Sequence, residues 1–221
     1  MLTLNCTHGH LFVDIDDRPW LVDTGAPSSF GIPDTITLSG RSFPIQDHYF
    51  QLDAAALSEL VELDCAGLLG NDILGQFDWI FDCAQNSAHC GDNLLMKDGL
   101  TISIEHQMTV PVFPTTIAGE RHCLFFDTGA QISYLPPKLL AGCPPAGDFT
   151  DFYPSLGRFT LPTFWADLSL GSLSLRLRCA TLPDALQPLL AMANGVVGIL
   201  GNEILHQHRL GYFPRQDVVV L

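Results

Sequence analysis

Trp20-Leu21-Val22-Asp23-Thr24-Gly25-Ala26 and Leu124-Phe125-Phe126-Asp127-Thr128-Gly129-Ala130 decide how this chain folds. The two acids are 127 − 23 = 104 residues apart. Each stretch is followed by a second matching signature, Gly67-Leu68-Leu69-Gly70-Asn71-Asp72-Ile73-Leu74 and Gly198-Ile199-Leu200-Gly201-Asn202-Glu203-Ile204-Leu205. One small unit is therefore written twice. Each unit ends an apolar strand in a carboxylate on a glycine-containing turn. Two such carboxylates brought face to face can share a proton and activate a water.

The downstream signatures are offset by 201 − 70 = 131, as are Gly40 with Gly171 and Asp53 with Asp184. The second unit therefore carries 131 − 104 = 27 extra residues, placed between about Tyr134 and Leu168. Within them, Asp148 to Leu161 sets aromatic and Thr residues on both sides of Pro154-Ser155-Leu156-Gly157. That pattern predicts a β-hairpin over the cleft between the acids. The first unit has no counterpart.

The hairpin-forming patterns are repeated as well. Leu11–Ile15, a turn at Asp16-Asp17-Arg18 and Pro19–Val22 lead into Asp23; Val112–Ile117, a turn at Ala118-Gly119-Glu120 and His122–Phe126 lead into Asp127. Short helical turns are expected from Asp53 and from Asp184, each Asp acting as cap. The Gly-x-x-Gly-Asn segments predict a buried strand turning into a short helix, with Asp72 and Glu203 in structural roles on its first turn. A further hairpin is expected over Asn93–Ile104, with Lys97-Asp98-Gly99 as its turn. With Leu2–Leu4 and Val218–Leu221, its strands are expected to form a sheet bridging the two halves.

The chain has 221 residues, 47% of them hydrophobic, which suits two small lobes sharing a core. We place them at residues 1–97 and 98–221. The net charge of -14 argues against nucleic acid as a partner and mildly favours cationic or neutral substrates. No apolar run approaches the ~20 residues of a membrane helix, and no leader is visible, so no membrane and a cytoplasmic location are expected. Seven cysteines without a tight pattern read as buried free thiols in a reducing compartment, with Cys83–Cys90 the disulfide considered. Cys6-Thr7-His8-Gly9-His10 and His89-Cys90 lack a partner cluster at zinc-like spacing, so no metal and no cofactor are expected.

Two hydrophobic-Asp-Thr-Gly-Ala motifs, each with its Gly-x-x-Gly-Asn partner, resemble the retropepsin and pepsin group of aspartic endopeptidases. The match spans nearly the whole chain in two passes. The resemblance implies an all-β, bilobal barrel fold with pseudo-two-fold symmetry. The small lobes and the Ala after Asp-Thr-Gly look more like a retropepsin; two copies in one chain look like pepsin. A fused, single-chain retropepsin-like protease, working as a monomer on peptide or protein substrates, is the reading that results. It departs from both groups in having its one candidate flap, 148–161, in the second half.

In that reading Asp23 and Asp127 are the catalytic pair, titrating as a unit. Thr24 and Thr128 bond across the lobe interface, as the resemblance implies, while Gly25 and Gly129 let backbone N–H groups approach the carboxylates. Ala26 and Ala130 adjoin the substrate and, lacking a hydroxyl, cannot stabilise the ionised pair, so a mildly acidic working pH is expected. Tyr153, Ser155, Leu156 and Gly157 form the flap tip. The rival reading is a non-catalytic peptide-binding protein on the same fold. An obligate homodimer, each half pairing with another chain, is also open to the sequence. An actin-like kinase would need glycine-rich phosphate loops that are not evident.

Overall fold

A computed structural model of the chain describes residues 1–153 and 156–221. The first half runs β1 (Leu2–Thr7), β2 (His10–Ile15), β3 (Arg18–Val22), β4 (Phe30–Gly31), β5 (Thr35–Leu38), β6 (Arg41–Pro44), β7 (His48–Tyr49) and β8 (Leu52–Asp53). It continues with α1 (Ala54–Val61), β9 (Gly67–Leu69), α2 (Asn71–Leu74), β10 (Asp78–Asp82) and β11 (Ser87–Gly91). The second half opens with β12 (Thr101–Ser103), β13 (Glu105–Gln107), β14 (Val110–Ile117), β15 (Glu120–Phe126), β16 (Ser133–Tyr134) and α3 (Pro137–Leu140). The long strands β17 (Pro145–Tyr153), β18 (Gly157–Leu170) and β19 (Leu173–Ala180) follow. Then come α4 (Gln187–Ala191), β20 (Val196–Leu200), α5 (Glu203–Gln207), β21 (Leu210–Phe213) and β22 (Val218–Val220). The architecture is all-β: among the described residues the longest helix, α1, has eight residues.

β5–β6 and β7–β8 form two small antiparallel pairs, and two large sheets hold the other strands. One is ordered β12-β22-β21-β10-β11-β1-β2-β3-β9-β4. The other is ordered β13-β14-β15-β20-β16-β19-β18-β17, and β14 also pairs with β18, which curls it towards a barrel. The strands leading into the acids are buried on both faces: Trp20, Leu21 and Val22 in β3, Leu124, Phe125 and Phe126 in β15. Strands covered on both faces read as unbroken apolar runs, which is why no alternation precedes either Asp. Each is flanked by a parallel neighbour from the matching downstream signature, β9 beside β3 and β20 beside β15.

The bridge between the halves is the stretch β12-β22-β21-β10-β11-β1, antiparallel throughout. Its centre pairs β10 from the first half with β21 from the second, Trp79 opposite Tyr212. Trp79 also stacks on Phe81, centroids 5.5 Å apart. A single apolar core carries Leu4, Trp20 and Trp79 from one half and Phe113, Phe126 and Leu200 from the other. At roughly 1.5–3 kcal/mol for each large side chain buried, this shared core opposes separation of the halves.

Three expectations are corrected. Asn93–Met96 is not a strand, and Lys97-Asp98-Gly99 does not close a hairpin. Leu94 N donates to the buried Asp78 carboxylate (3.3 Å), and Leu100 exchanges backbone bonds with Leu221 (2.7 and 3.0 Å). Pairing with the far end of the chain thus replaces local pairing. Asp53 caps α1 through Ala56 N (2.8 Å), but Asp184 does not cap α4, which starts at Gln187 with Pro188 in its first turn. Proline fits that position because its missing N–H is not needed there; Asp184 Oδ1 accepts from the Gln187 side chain instead (2.9 Å). Finally, Cys6 and Cys83 form a disulfide, Cα atoms 6.1 Å apart, where free thiols were expected. Cys90 is free, because it sits opposite Trp79, four residues back along β10 from Cys83, or about 13 Å. Among the described residues, no helix is long and apolar enough to cross a membrane.

Candidate active site

Each acid sits where its buried strand gives way to a turn. Asp23 N donates to Leu69 O and Asp127 N to Leu200 O, both at 3.0 Å, so the parallel neighbour fixes where each turn begins. The turn then folds back on its own carboxylate. Gly25 N and Ala26 N donate to Asp23 Oδ1 (2.8 and 3.0 Å); Gly129 N and Ala130 N donate to Asp127 Oδ1 (2.9 and 3.1 Å). Both carboxylates keep part of their surface open.

The two turns cross. A Cβ on Gly25 would lie 2.4 Å from Asp127 Cγ, and one on Gly129 would lie 2.7 Å from Asp23 Cγ. Each acid therefore occupies the space that the other loop's glycine leaves empty. Beneath them Thr24 N donates to Thr128 Oγ1 and Thr128 N to Thr24 Oγ1, both at 3.0 Å. Each hydroxyl passes its proton to the opposite strand's end, Thr24 Oγ1 to Phe126 O (2.7 Å) and Thr128 Oγ1 to Val22 O (2.8 Å). Both threonines are buried, so these four bonds leave no orphaned group and lock the loops together.

Electrostatics follow from that closeness. Burial raises the Asp23 pKa well above the usual carboxylate range, and the charge of Asp127 and a hydrogen bond between the two side chains raise it further. Burial raises Asp127 as well, against the stabilising amides of Ala130 and Gly129. Asp151 adds further negative charge near Asp127. The pair thus holds one proton more tightly than two separate acids would.

Behind each loop stands the downstream signature. Asn71 Nδ2 donates to Thr24 O and Asn202 Nδ2 to Thr128 O; Asn71 N and Asn202 N donate to Ala26 O (2.9 Å) and Ala130 O (2.8 Å). Gly70 and Gly201 are required by this approach, since a Cβ on either would meet loop backbone at 2.9 Å or closer. Two serines overlooked in the sequence finish the support: Gly70 N donates to Ser29 Oγ (2.9 Å) and Gly201 N to Ser133 Oγ (3.1 Å). Their offset, 133 − 29 = 104, equals that of the acids and was the available signal. Asp72 accepts from Ser29 N (2.9 Å) and Ser29 Oγ (2.6 Å), and Glu203 accepts from Arg178 N (2.8 Å), so both acids brace backbone.

The second half's extra residues form the hairpin β17–β18, paired from Pro145/Phe164 to Tyr153/Gly157. Pro154 and Ser155 lie outside the described residues. Leu156 is exposed and Gly157 turns with φ +74. Tyr153 packs on the cluster of Ile132 and Leu182 and lies within reach of the acids' charge: its phenol is pushed up first by burial, then by Asp127 and Asp23. Phe152 packs on the first half's cluster of Phe12, Leu21 and Leu57. Arg158 Nη2 reaches the end of α1, donating to Leu60 O (3.1 Å) and Glu62 Oε1 (3.0 Å). Two pairs back from the end of the ladder, Tyr134 Oη donates to Asp151, a buried carboxyl. Neither this pair nor Arg158 was signalled by composition or spacing.

One more contact crosses between the halves. Gln131 Nε2, just past the second Asp loop, donates to His8 O (3.0 Å) and His10 Nε2 (2.6 Å). The buried His10 is held down to about 4, first by burial, and stays neutral. Metal-type ligands are absent from the loops apart from the two acids. Among the described residues, Cys6, Cys83 and His206 form the one group spaced to hold an ion.

No protein-family model matches the chain, and no curated protein matches its sequence. Among solved structures it is similar to the aspartic proteinase from Irpex lacteus, at 10% identity and a TM-score of 0.50. The likeness covers 99% of this chain and 95% of that one. At that identity it shows the fold: an all-β, pepsin-like bilobal architecture with the two halves joined by the bridging sheet.

Proposed function

We propose that this chain is an aspartic endopeptidase of the single-chain, fused retropepsin-like kind, its lobes divided at about residues 97 and 98. The observation that carries the reading is the crossing of the loops, each carboxylate seated against the glycine of the other. A shared proton and a pair of acids not wholly closed off from solvent are what activation of a water between them requires. The ionised member takes a proton from the water, which attacks the peptide carbonyl. The protonated member polarises that carbonyl and afterwards helps protonate the leaving amine. Neither Asp owns one role, because the loops are equivalent and the proton is common to both.

An extended polypeptide would lie across the acids, between the apolar cluster around Phe12 and Leu57 and that around Ile132 and Leu182. The 148–161 hairpin would cover it, Tyr153 over the acids, excluding water from the reacting bond. Ala26 and Ala130, each packed on one of those clusters, would border the substrate. The raised pKa of the pair supports work at mildly acidic pH. The reaction as drawn needs one chain and uses no cofactor or metal ion, and its substrate is a peptide rather than nucleic acid or membrane.

The test is digestion of a peptide library in heavy-oxygen water, from acid to neutral pH. Native protein should release products with one heavy oxygen at each new carboxyl terminus. Asp23→Asn and Asp127→Asn should each lose at least about a thousandfold in rate, within the 10²–10⁴ range of acid–base catalysis. Tight peptide binding without turnover by the native protein would turn the reading into that of a binding module. Full cleavage by either variant would end it.

A further inference from the structure

Cys6, Cys83 and His206 come from three separate segments: β1, the turn after β10, and α5. One ligand atom of each lies within 4.8 Å of the other two. We propose that, once the Cys6–Cys83 disulfide is reduced, these side chains form a binding site for a borderline-soft divalent cation, zinc above all, with water as fourth ligand.

The donor set favours this class. Two thiolates and an imidazole are soft-to-borderline ligands, poor for calcium or magnesium and well suited to zinc. The geometry is close to what is needed. Zn–S of about 2.3 Å and Zn–N of about 2.0 Å place tetrahedral ligand atoms roughly 3.5–3.8 Å apart. Reduction lets the two sulfurs separate towards that spacing from Cα atoms already 6.1 Å apart. The imidazole has only to close from within 4.8 Å. Access is open, since the cysteines are half-buried and His206 is exposed, which also leaves room for a water.

The histidines of the first sequence motif are committed elsewhere. His8 Nδ1 lies 3.8 Å from Glu62, and His10 Nε2 takes Gln131 Nε2. The motif Cys6-Thr7-His8-Gly9-His10 therefore contributes its cysteine alone, and the fold supplies the partners.

The steps balance as follows. A dithiol reductant gives two electrons and two protons to the disulfide, leaving two thiols and becoming a disulfide itself. Zinc then displaces both thiol protons and binds the neutral imidazole. In the oxidised state only β1 and the β10 turn are joined. In the zinc state α5 is tied in as well, and α5 follows Asn202, whose side chain holds Thr128 O and Gly9 O (3.0 and 2.8 Å). The site does not depend on the peptidase reading.

The full chain, reduced with a phosphine under inert gas, is titrated with cobalt(II) as a spectroscopic stand-in. One equivalent should bind with a thiolate-to-cobalt charge-transfer band and the visible bands of a tetrahedral ion. Zinc should displace it, and the unreduced protein should show neither signal. Cys6→Ser and Cys83→Ser should remove the charge-transfer band. His206→Ala should weaken binding at least tenfold; its side chain is exposed, so this variant decides the matter even if a cysteine variant fails to fold. Unchanged affinity in His206→Ala, a band that persists in the Cys6→Ser/Cys83→Ser double variant, or no band at all would overturn the proposal.

Discussion

The two halves agree closely around their acids and hardly at all in what covers them. On both sides two loop amides hold one carboxylate, and an apolar strand, a parallel neighbour, a buried threonine, an asparagine and a serine support its loop in the same order. Between its Asp loop and its Gly-x-x-Gly-Asn signature the first half carries the short pairs β5–β6 and β7–β8 and the helix α1; the second carries the long hairpin β17–β18. Each carboxylate needs its own set of amides, and the amides need backbone geometry that only a few side chains permit. A cleft, by contrast, can be covered by an element of either half. Duplication is therefore kept where two equal acids are required and lost where one cover suffices.

The sharpest way to break that comparison is to fill the shared space from each side. Gly25→Ala and Gly129→Ala would each push a methyl group into the opposite carboxylate. Each should lower kcat/KM more than about a hundredfold, the usual cost of a misplacement near 1 Å. The loss should be greater for Gly25, whose Cβ would come closer (2.4 against 2.7 Å). A harmless substitution on either side would mean the loops do not face each other in solution.

The threonine pair tests symmetry through stability. Thr24→Ala and Thr128→Ala each orphan a buried backbone N–H and a carbonyl, at about 2–4 kcal/mol in total. The two costs should be equal in denaturant midpoints. Each hydroxyl makes two bonds of its own, so either variant alone should show the full loss of its pair. Unequal losses would mean that one loop leans on the other more than it supports it.

Much of this was legible in the sequence, for a physical reason. Asp-Thr-Gly-Ala and Gly-x-x-Gly-Asn are local motifs whose backbone demands fix residue identity, so two copies betray the duplication. The 27-residue excess located the hairpin by subtraction. What escaped depended on distant partners. Cys6 and Cys83 are 77 residues apart and meet only because β11 lies between β1 and β10. Leu100 pairs with Leu221 rather than across an Asp-Gly turn. Tyr134 with Asp151, and Arg158 with α1, answer to side-chain reach, which leaves no spacing rule behind. Ser29 and Ser133 obey the same offset as the acids, but a serine inside a loop is too common to draw notice.

A gentler probe uses pH. Both acids have native pKa values raised by burial, Asp23 also by its neighbour's charge. In that case the native state holds a proton that the unfolded chain releases at about 3.9. The associated stability is fully present below that value and is lost as pH rises through the native pKa. Asp23→Asn and Asp127→Asn should thus be more stable than the native protein at neutral pH, with the advantage shrinking in acid. Because the pair titrates as a unit, the two variants should gain alike. A difference that stays constant across pH would place the acids too far apart to interact.

The smallest expected effect lies at the ion pair joining the second half's hairpin to the end of the first half's helix. Arg158 and Glu62 are exposed, with side chains 46% and 61% accessible, so their pairing at 3.0 Å is screened by water and salt. Arg158→Ala should cost less than about 1 kcal/mol in a thermal or denaturant melt. The consequence for substrate should be more visible than that for stability. Arg158 donates to Leu60 O at the carboxyl end of α1, where the helix dipole favours a cation. Without it the hairpin keeps the packing of Phe152 on the first half but loses its polar fastening, while Tyr153 and the acids are untouched. KM for peptides should rise about two- to threefold with kcat unchanged, matching a loss well under 1 kcal/mol in uniform binding. High salt should bring the native protein to the variant's KM. A loss of several kcal/mol on melting would instead make this contact part of the core, and the cover would then belong to both halves rather than to one.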